Sequence, residues 1–301
     1  MNIQLKKITF TSFFKASTRL SFLLILISIL ILFFKGLNLG VDFKGGTLIE
    51  LRIDSNQIDI QEVRNSFSRS DLANISVKEF GKKGDFLVKL DNQNMNDKDF
   101  IQKLNSYVSN KLAVDVNFRR VENVGPKVSK ELINAAIIAI SLSLSAMLIY
   151  IWIRFEWQFS VAAILALIHD VILTLGIFSF LNLEVNLSII AAILTIVGYS
   201  MNDTVVIFDR IRENLKKYDN FKIDQISDIS INATLSRTLI TSITTLLALI
   251  AIFLFGGEVL KGFSFALIFG VIIGTYSSIF IATPVLNFTN VNQKSVVKEK
   301  S

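Results

Sequence analysis

Asp203 stands in "GYSMNDTVVIF" (198–208), at the close of an apolar run long enough to cross a membrane. A charge kept at such a depth is expensive, so its retention points to function. Counted from the outer end of its span, Asp203 lies ~24 Å down, within the inner leaflet. Arg237, in "TLSRTLITSITTLLALI" (234–250), opens the next span at a comparable depth. Thr241, Thr244 and Thr245 continue from it as a hydroxyl-bearing helix face. Two readings fit Asp203 and Arg237. Either they form an ion pair or a proton site with a cationic neighbour, or Arg237 snorkels to the interface while Asp203 caps a cytoplasmic vestibule.

His169 and Asp170, in "ALIHDVILTLG" (166–176), sit near the middle of a third span. Imidazole titrates near neutrality, so a proton relay is one role open to the pair. A helix–helix hydrogen bond is the other. Adjacent residues on a helix point about 100° apart, so the two side chains are not expected to address one point. One His and no Cys exclude the usual zinc ligand sets. Asp42, Gly45 and Gly46 form "DFKGG", whose glycines permit a turn that launches a first strand. No helix start follows it, which argues against nucleotide binding. With no P-loop, catalytic triad or metal-ligand spacing, the chain is read as a non-enzyme without cofactors.

These residues need helices in a bilayer to position them, and composition supplies them. The chain has 301 residues, 51% of them hydrophobic, and a mean hydropathy of +0.54. There are 25 Phe and only 2 Pro, which suits long unbroken helices. Six apolar runs, at 20–36, 132–153, 159–180, 187–208, 238–255 and 263–283, approach the ~20 residues that span hydrocarbon. The first follows Lys6, Lys7, Lys15 and Arg19, and "KGLNLGVDF" after it offers no small-residue cleavage site, so it reads as an uncleaved anchor.

Orientation follows from the basic residues. With the N-terminus in the cytoplasm, the inner segments hold the four residues just named, then Arg154, then Arg210, Arg212, Lys216, Lys217 and Lys222, and finally Lys294, Lys298 and Lys300. The opposite short loops hold only Lys261. The excess puts both termini in the cytoplasm. The net charge of +6 is thus an orientation signal, and no nucleic acid is expected. The basic run "FDRIRENLKKY" (208–218) suits anionic lipid or a docking protein.

The reading divides the chain into a cytoplasmic tail (1–19), a first span (20–36), an extracytoplasmic α+β domain (37–128), five further spans (129–288) and a cytoplasmic tail (289–301). In the domain, "TLIELRI" (47–53), "ISVKEF" (75–80), "DFLVKL" (85–90) and "VDVNFRRV" (114–121) read as strands, with a turn at 81–84. Helices are expected at 59–67 and 97–112, the second presenting Phe100, Leu104, Tyr107, Val108 and Leu112 on one face. The order βαββαβ is ferredoxin-like. In the sixth span, Gly262, Ala266, Gly270, Gly274 and Ser278 recur every fourth residue. Such a stripe admits a closely packed helix, from this chain or from a partner.

Five motifs in register, "GVDFKGGT" (40–47), "VENVGPKVSKEL" (121–132), "HDVILTLG", "GYSMNDTVVIFDRIREN" (198–214) and "TLSRTLITS" (234–242), resemble the SecF branch of the SecD/SecF protein-export family, within the RND superfamily. The resemblance covers about residues 36–285. It implies a polytopic α-helical membrane protein of the bacterial cytoplasmic (inner) membrane, the six-span half of a twelve-span transporter. It implies that SecD supplies the other half. It further implies work with SecYEG, with a YajC-type accessory subunit, with the translocating polypeptide and with membrane lipids, driven by the proton motive force after the SecA/ATP-driven step. In the family, the aspartate and arginine matching Asp203 and Arg237 are implicated in proton conduction. The rival readings are a half-RND exporter of a small molecule or lipid, and a scaffold that moves no protons.

Overall fold

The computed structural model describes residues 8–54, 58–68, 75–79, 81–90, 98–218, 221–289 and 291. In chain order these form α1 (Thr11–Lys35), β1 (Asn38–Leu39), α2 (Val41–Lys44), β2 (Gly46–Ile53), α3 (Ile60–Phe67), β3 (Ile75–Glu79), β4 (Asp85–Leu90), α4 (Lys98–Leu112) and β5 (Val116–Val124). Then follow α5 (Pro126–Arg154), α6 (Trp157–Phe180), β6 (Glu184–Val185), α7 (Leu187–Lys217), α8 (Ile223–Phe255) and α9 (Glu258–Ser277). A π-helical turn, Ser278–Ala282, joins α9 to α10 (Thr283–Phe288). Six helices are long and apolar enough to span a membrane: α1, α5, α6, α7, α8 and the run Val259–Phe288. The basic residues Lys6, Lys7, Lys294, Lys298 and Lys300 lie outside the described residues.

The chain folds as two compact units, one of Met1–Asn38, Ala139–Leu183 and Ser188–Ser301, the other of Leu39–Ile138 and Glu184–Leu187. In the first, burial sorts the helices. Half or more of the apolar stretch is buried in α6, α7 and α9–α10, against 11% in α1. The central helices therefore carry the small and polar residues that need neighbours, and α1, α5 and α8 turn apolar faces outward. The first helix begins at Thr11, nine residues before the apolar run. Asp228 of α8 takes the Thr11 N–H at 3.0 Å and its hydroxyl at 2.8 Å, satisfying orphan donors of the first turn.

The stripe in the sixth span packs on its own chain. A Cβ added at Gly270 would lie 2.3 Å from Ile196 Cγ1, and one at Gly274 would lie 2.9 Å from Ser200 Cβ. Gly262 faces Ile189, and Ala266 is fully buried. The absent side chains let α7 and α9 approach closely. At the end of α7, the basic run grips the α5–α6 turn: Arg154 pairs with Asp209 at 3.0 Å, and Arg212 donates to the Arg154 carbonyl at 3.2 Å.

In the second unit, β2 alternates, burying Ile49, Leu51 and Ile53 and turning Leu48, Glu50 and Arg52 outward. The antiparallel sheet has the order β3-β4-β2-β5. Registers such as Ile49↔Val88 and Leu51↔Phe86 line up one apolar face. Val63 and Phe67 of α3 and Leu104 and Val108 of α4 join the core with that face. Tyr107 departs from the expected helix face, since it is 37% exposed. It follows Leu104 by only three positions, which swings it to the rim, where Lys111 Nζ lies 5.7 Å from its ring centroid.

The "DFKGG" stretch is a helical turn followed by two left-handed residues, Gly45 at φ 79° and Gly46 at φ 121°. Only glycine takes those angles without strain, so the pair turns the chain into β2. The same stretch also reaches the loop before α7. The Gly40 N–H donates to the Val185 carbonyl at 2.8 Å, and Asp42 Oδ2 accepts the Leu187 N–H at 2.8 Å.

Candidate functional site

The buried face of α7 selects which of its polar groups can act. Ile193, Ile196, Val197, Ser200, Asp203, Thr204, Ile207 and Ile211 are all buried, the three-then-four spacing of a single helix face. Asp203 falls on this stripe and is 3% exposed, while Asn202, a step of ~100° away, is exposed. Asp203 Oδ2 is buried without a hydrogen-bond partner. The charge acting on it is that of Arg237 on α8. No contact as short as an ion pair joins the two side chains among the described residues, and Arg237 is exposed. The arrangement is a carboxylate with a cationic neighbour across a gap. Of the expected hydroxyl face, Thr241 and Thr244 bond back to carbonyls of their own helix. Thr238 is buried instead, with its hydroxyl unpartnered.

Asp170 is the opposite case, a carboxylate with every bond made. It is fully buried on α6. Its Oδ1 lies 2.9 Å from His169 Nδ1. Its Oδ2 accepts hydroxyls from Ser200 of α7 at 2.6 Å and Ser277 of α9 at 2.8 Å. The two neighbours meet each other, while Asp170 alone addresses Ser200 and Ser277. The 100° step separates their Cβ directions, but both side chains are long enough to bend together. The network goes on from there. The His169 ring stacks beside Tyr276, with centroids 6.1 Å apart and planes 26° from parallel. The Tyr276 hydroxyl bonds to the Ser17 carbonyl at 3.0 Å and the Ser21 hydroxyl at 2.9 Å on α1. His169 Nε2 is buried without a partner.

Thr204 and Ser278 share a 2.8 Å hydroxyl contact, which ties the turn after Asp203 to the π-helical turn. Ser277 closes α9 and Ser278 opens the π turn; neighbours on a helix point about 100° apart, so one meets Asp170 and the other Thr204. Such turns recur at functional positions. Sequence reading singled out Asp203, Arg237, His169 and Asp170 but missed Tyr276 and Ser277. The polar run "TYSS" (275–278), in an otherwise apolar span, was the available signal.

With this geometry in hand, comparisons with known proteins agree with one another. The family model described as protein export membrane protein SecD/SecF, C-terminal, matches residues 104–292, and the SecD/SecF GG motif matches residues 30–57. The protein translocase subunit SecF of Rickettsia bellii (strain OSU 85-389) is 44% identical over 282 residues, covering 92% of this chain and 91% of its own. That of Rickettsia prowazekii (strain Madrid E) is 43% identical over 298 residues, covering 97% and 94%. Among solved structures, the crystal structure of SecDF, a translocon-associated membrane protein from Thermus thermophilus, superposes with a TM-score of 0.86 at 35% identity. The match takes in 97% of this chain but only 40% of the SecDF chain. A SecDF in a super-membrane-facing form gives a TM-score of 0.71 at 34% identity, over 96% and 39%.

Proposed function

The chain belongs to the SecD/SecF family of protein-export membrane proteins, and from that premise we propose that it couples proton movement through Asp203 to protein export. It acts as a SecF-type translocase subunit, a multi-pass membrane protein. Its six spans form half of a transporter in the cytoplasmic membrane, with both termini inside. SecD supplies the other half, and the pair works beside SecYEG and a YajC-type subunit.

The observation that carries the reading is the contrast between two buried carboxylates. Asp170 has all its bonds made, whereas Asp203 Oδ2 has none. An unmade bond on a buried oxygen costs about 1–3 kcal/mol, so a carboxylate left in that state is suited to exchange a proton without first breaking a bond. Gaining the proton cancels the attraction to Arg237, and α7 and α8 can then repack. Each charge crossing 100 mV supplies about 2.3 kcal/mol, so a few protons can drive a rearrangement costing several kcal/mol. The sheet order β3-β4-β2-β5 with α3 and α4 supports a ferredoxin-like domain. We place that domain outside the membrane, where it meets the emerging polypeptide.

Asp203→Asn keeps size and polarity but holds no exchangeable carboxyl proton. In inverted vesicles with SecD and SecYEG, after ATP is exhausted and with a gradient imposed, this variant should lose export. Full gradient-driven export by the variant would leave a non-conducting scaffold.

A further inference from the structure

We propose that Asp42 is a positioning residue for α7, the helix that carries Asp203; the inference rests on the proton-coupled reading above. The GG motif accounts for Gly45 and Gly46 as the turn into β2, but it gives the carboxylate beside them no task. The geometry does. Asp42 Oδ2 accepts the Leu187 N–H at 2.8 Å, and Leu187 is the first residue of α7. A first-turn N–H has no acceptor within its own helix. A carboxylate there also meets the positive end of the helix dipole.

Two further contacts hold the approach to that bond. The Gly40 N–H donates to the Val185 carbonyl at 2.8 Å, and Lys89 Nζ of β4 donates to the Leu39 carbonyl at 3.2 Å. Gly40 lies against the loop: a Cβ there would sit 2.7 Å from Glu184 Oε1, 3.2 Å from Asn186 Cβ and 3.3 Å from the Val185 oxygen. Strand β6 and Leu187 thus belong to the unit built on the α+β sheet, although they lead into a membrane helix. Asp203 lies sixteen residues along that same unbroken helix. Asp42 therefore holds the first residue of the helix that carries Asp203. The side chain does not touch the proton site. It acts by holding the helix that does.

The test uses the full chain in its complex with SecD. Hydrogen exchange is read for the segment 183–190, and gradient-driven export is read in the same vesicles. Asp42→Ala should speed exchange of that segment about fivefold, the loss expected for one missing cap. It should lower gradient-driven export while SecD still co-purifies. Asp42→Asn retains an acceptor oxygen and should restore both readings. Gly40→Ala, which leaves Asp42 in place but pushes the loop away, should reproduce the alanine defect. Unchanged exchange in Asp42→Ala overturns the proposal, as does faster exchange with undiminished gradient-driven export. A neutral result for Asp203→Asn would strike at the proton-coupled reading instead. The exchange measurement judges the clamp whatever that result is.

Discussion

Ser200 of α7 donates its hydroxyl to Asp170 of α6 across 2.6 Å, one helical turn before Asp203. The bond sets the rotation of α7 about its axis at the point where the Asp203 carboxylate, with its unpartnered Oδ2, is presented. Ser277 fixes α9 to the same oxygen, so one side chain registers three helices.

Asp170→Ala removes that acceptor from two helices at once. Interhelical hydrogen bonds in membranes are worth about 0.6–2 kcal/mol each, so the complex should lose about 1–4 kcal/mol of stability. Asp170→Asn keeps one carbonyl oxygen and should lose less. Thermal unfolding of the detergent-solubilised complex checks both, and an unchanged midpoint for the alanine variant would remove Asp170 from this role.

No ion pair joins Arg237 to Asp203 among the described residues, so the guanidinium fork is not engaged there. Arg237→Lys keeps the charge and should retain most gradient-driven export, although Arg and Lys differ sharply where the planar fork is used. Arg237→Met should be as defective as Asp203→Asn. The double variant should be no worse than either, because both act on one coupled unit. A fully additive double defect would separate the two residues.

Gly270→Leu tests the close approach of α7 and α9. Because a Cβ at this position already meets Ile196 at 2.3 Å, a leucine should cost about 1–3 kcal/mol through overpacking. The yield of folded complex with SecD should fall. Gly262→Ala, facing Ile189 at 3.5 Å, should be tolerated.

The proposed orientation puts the α+β unit outside. Ser106 on α4 and Lys217 at the end of α7 are both exposed, so access at either is limited by the membrane. A cysteine at Ser106 should react with an impermeant thiol reagent in intact protoplasts, and one at Lys217 should not. The reverse pattern would invert the topology.

The six spans were legible because hydrocarbon imposes a length and composition that leave few alternatives. The strands of the α+β unit were legible from period-two alternation, clearest in β2 and β4. What periodicity could not reveal was where a polar side chain finds its partner. Asp170 and Asp203 look alike in sequence, each an aspartate in an apolar span. Only the arrangement of α6, α7 and α9 gives one three partners and leaves an oxygen of the other with none. Ser277 escaped notice because serine is common in packed membrane helices, and its role depends on a residue 107 positions away. Asp42 was read as part of a turn because Leu187 lies beyond two intervening spans.

The membership of Glu184–Leu187 in the α+β unit sets an order of events during synthesis. The ribosome finishes the sheet and its two helices about sixty residues before it supplies the last strand of the small β1–β6 pair, a delay of about 3–12 s at ordinary elongation rates. Two apolar spans must be delivered to the bilayer in that interval. Until the loop arrives, Gly40 and Asp42 await their partners Val185 and Leu187. Nascent chains arrested shortly after α6 should therefore carry a protease-sensitive segment around residues 38–44 that becomes protected once the chain extends past α7.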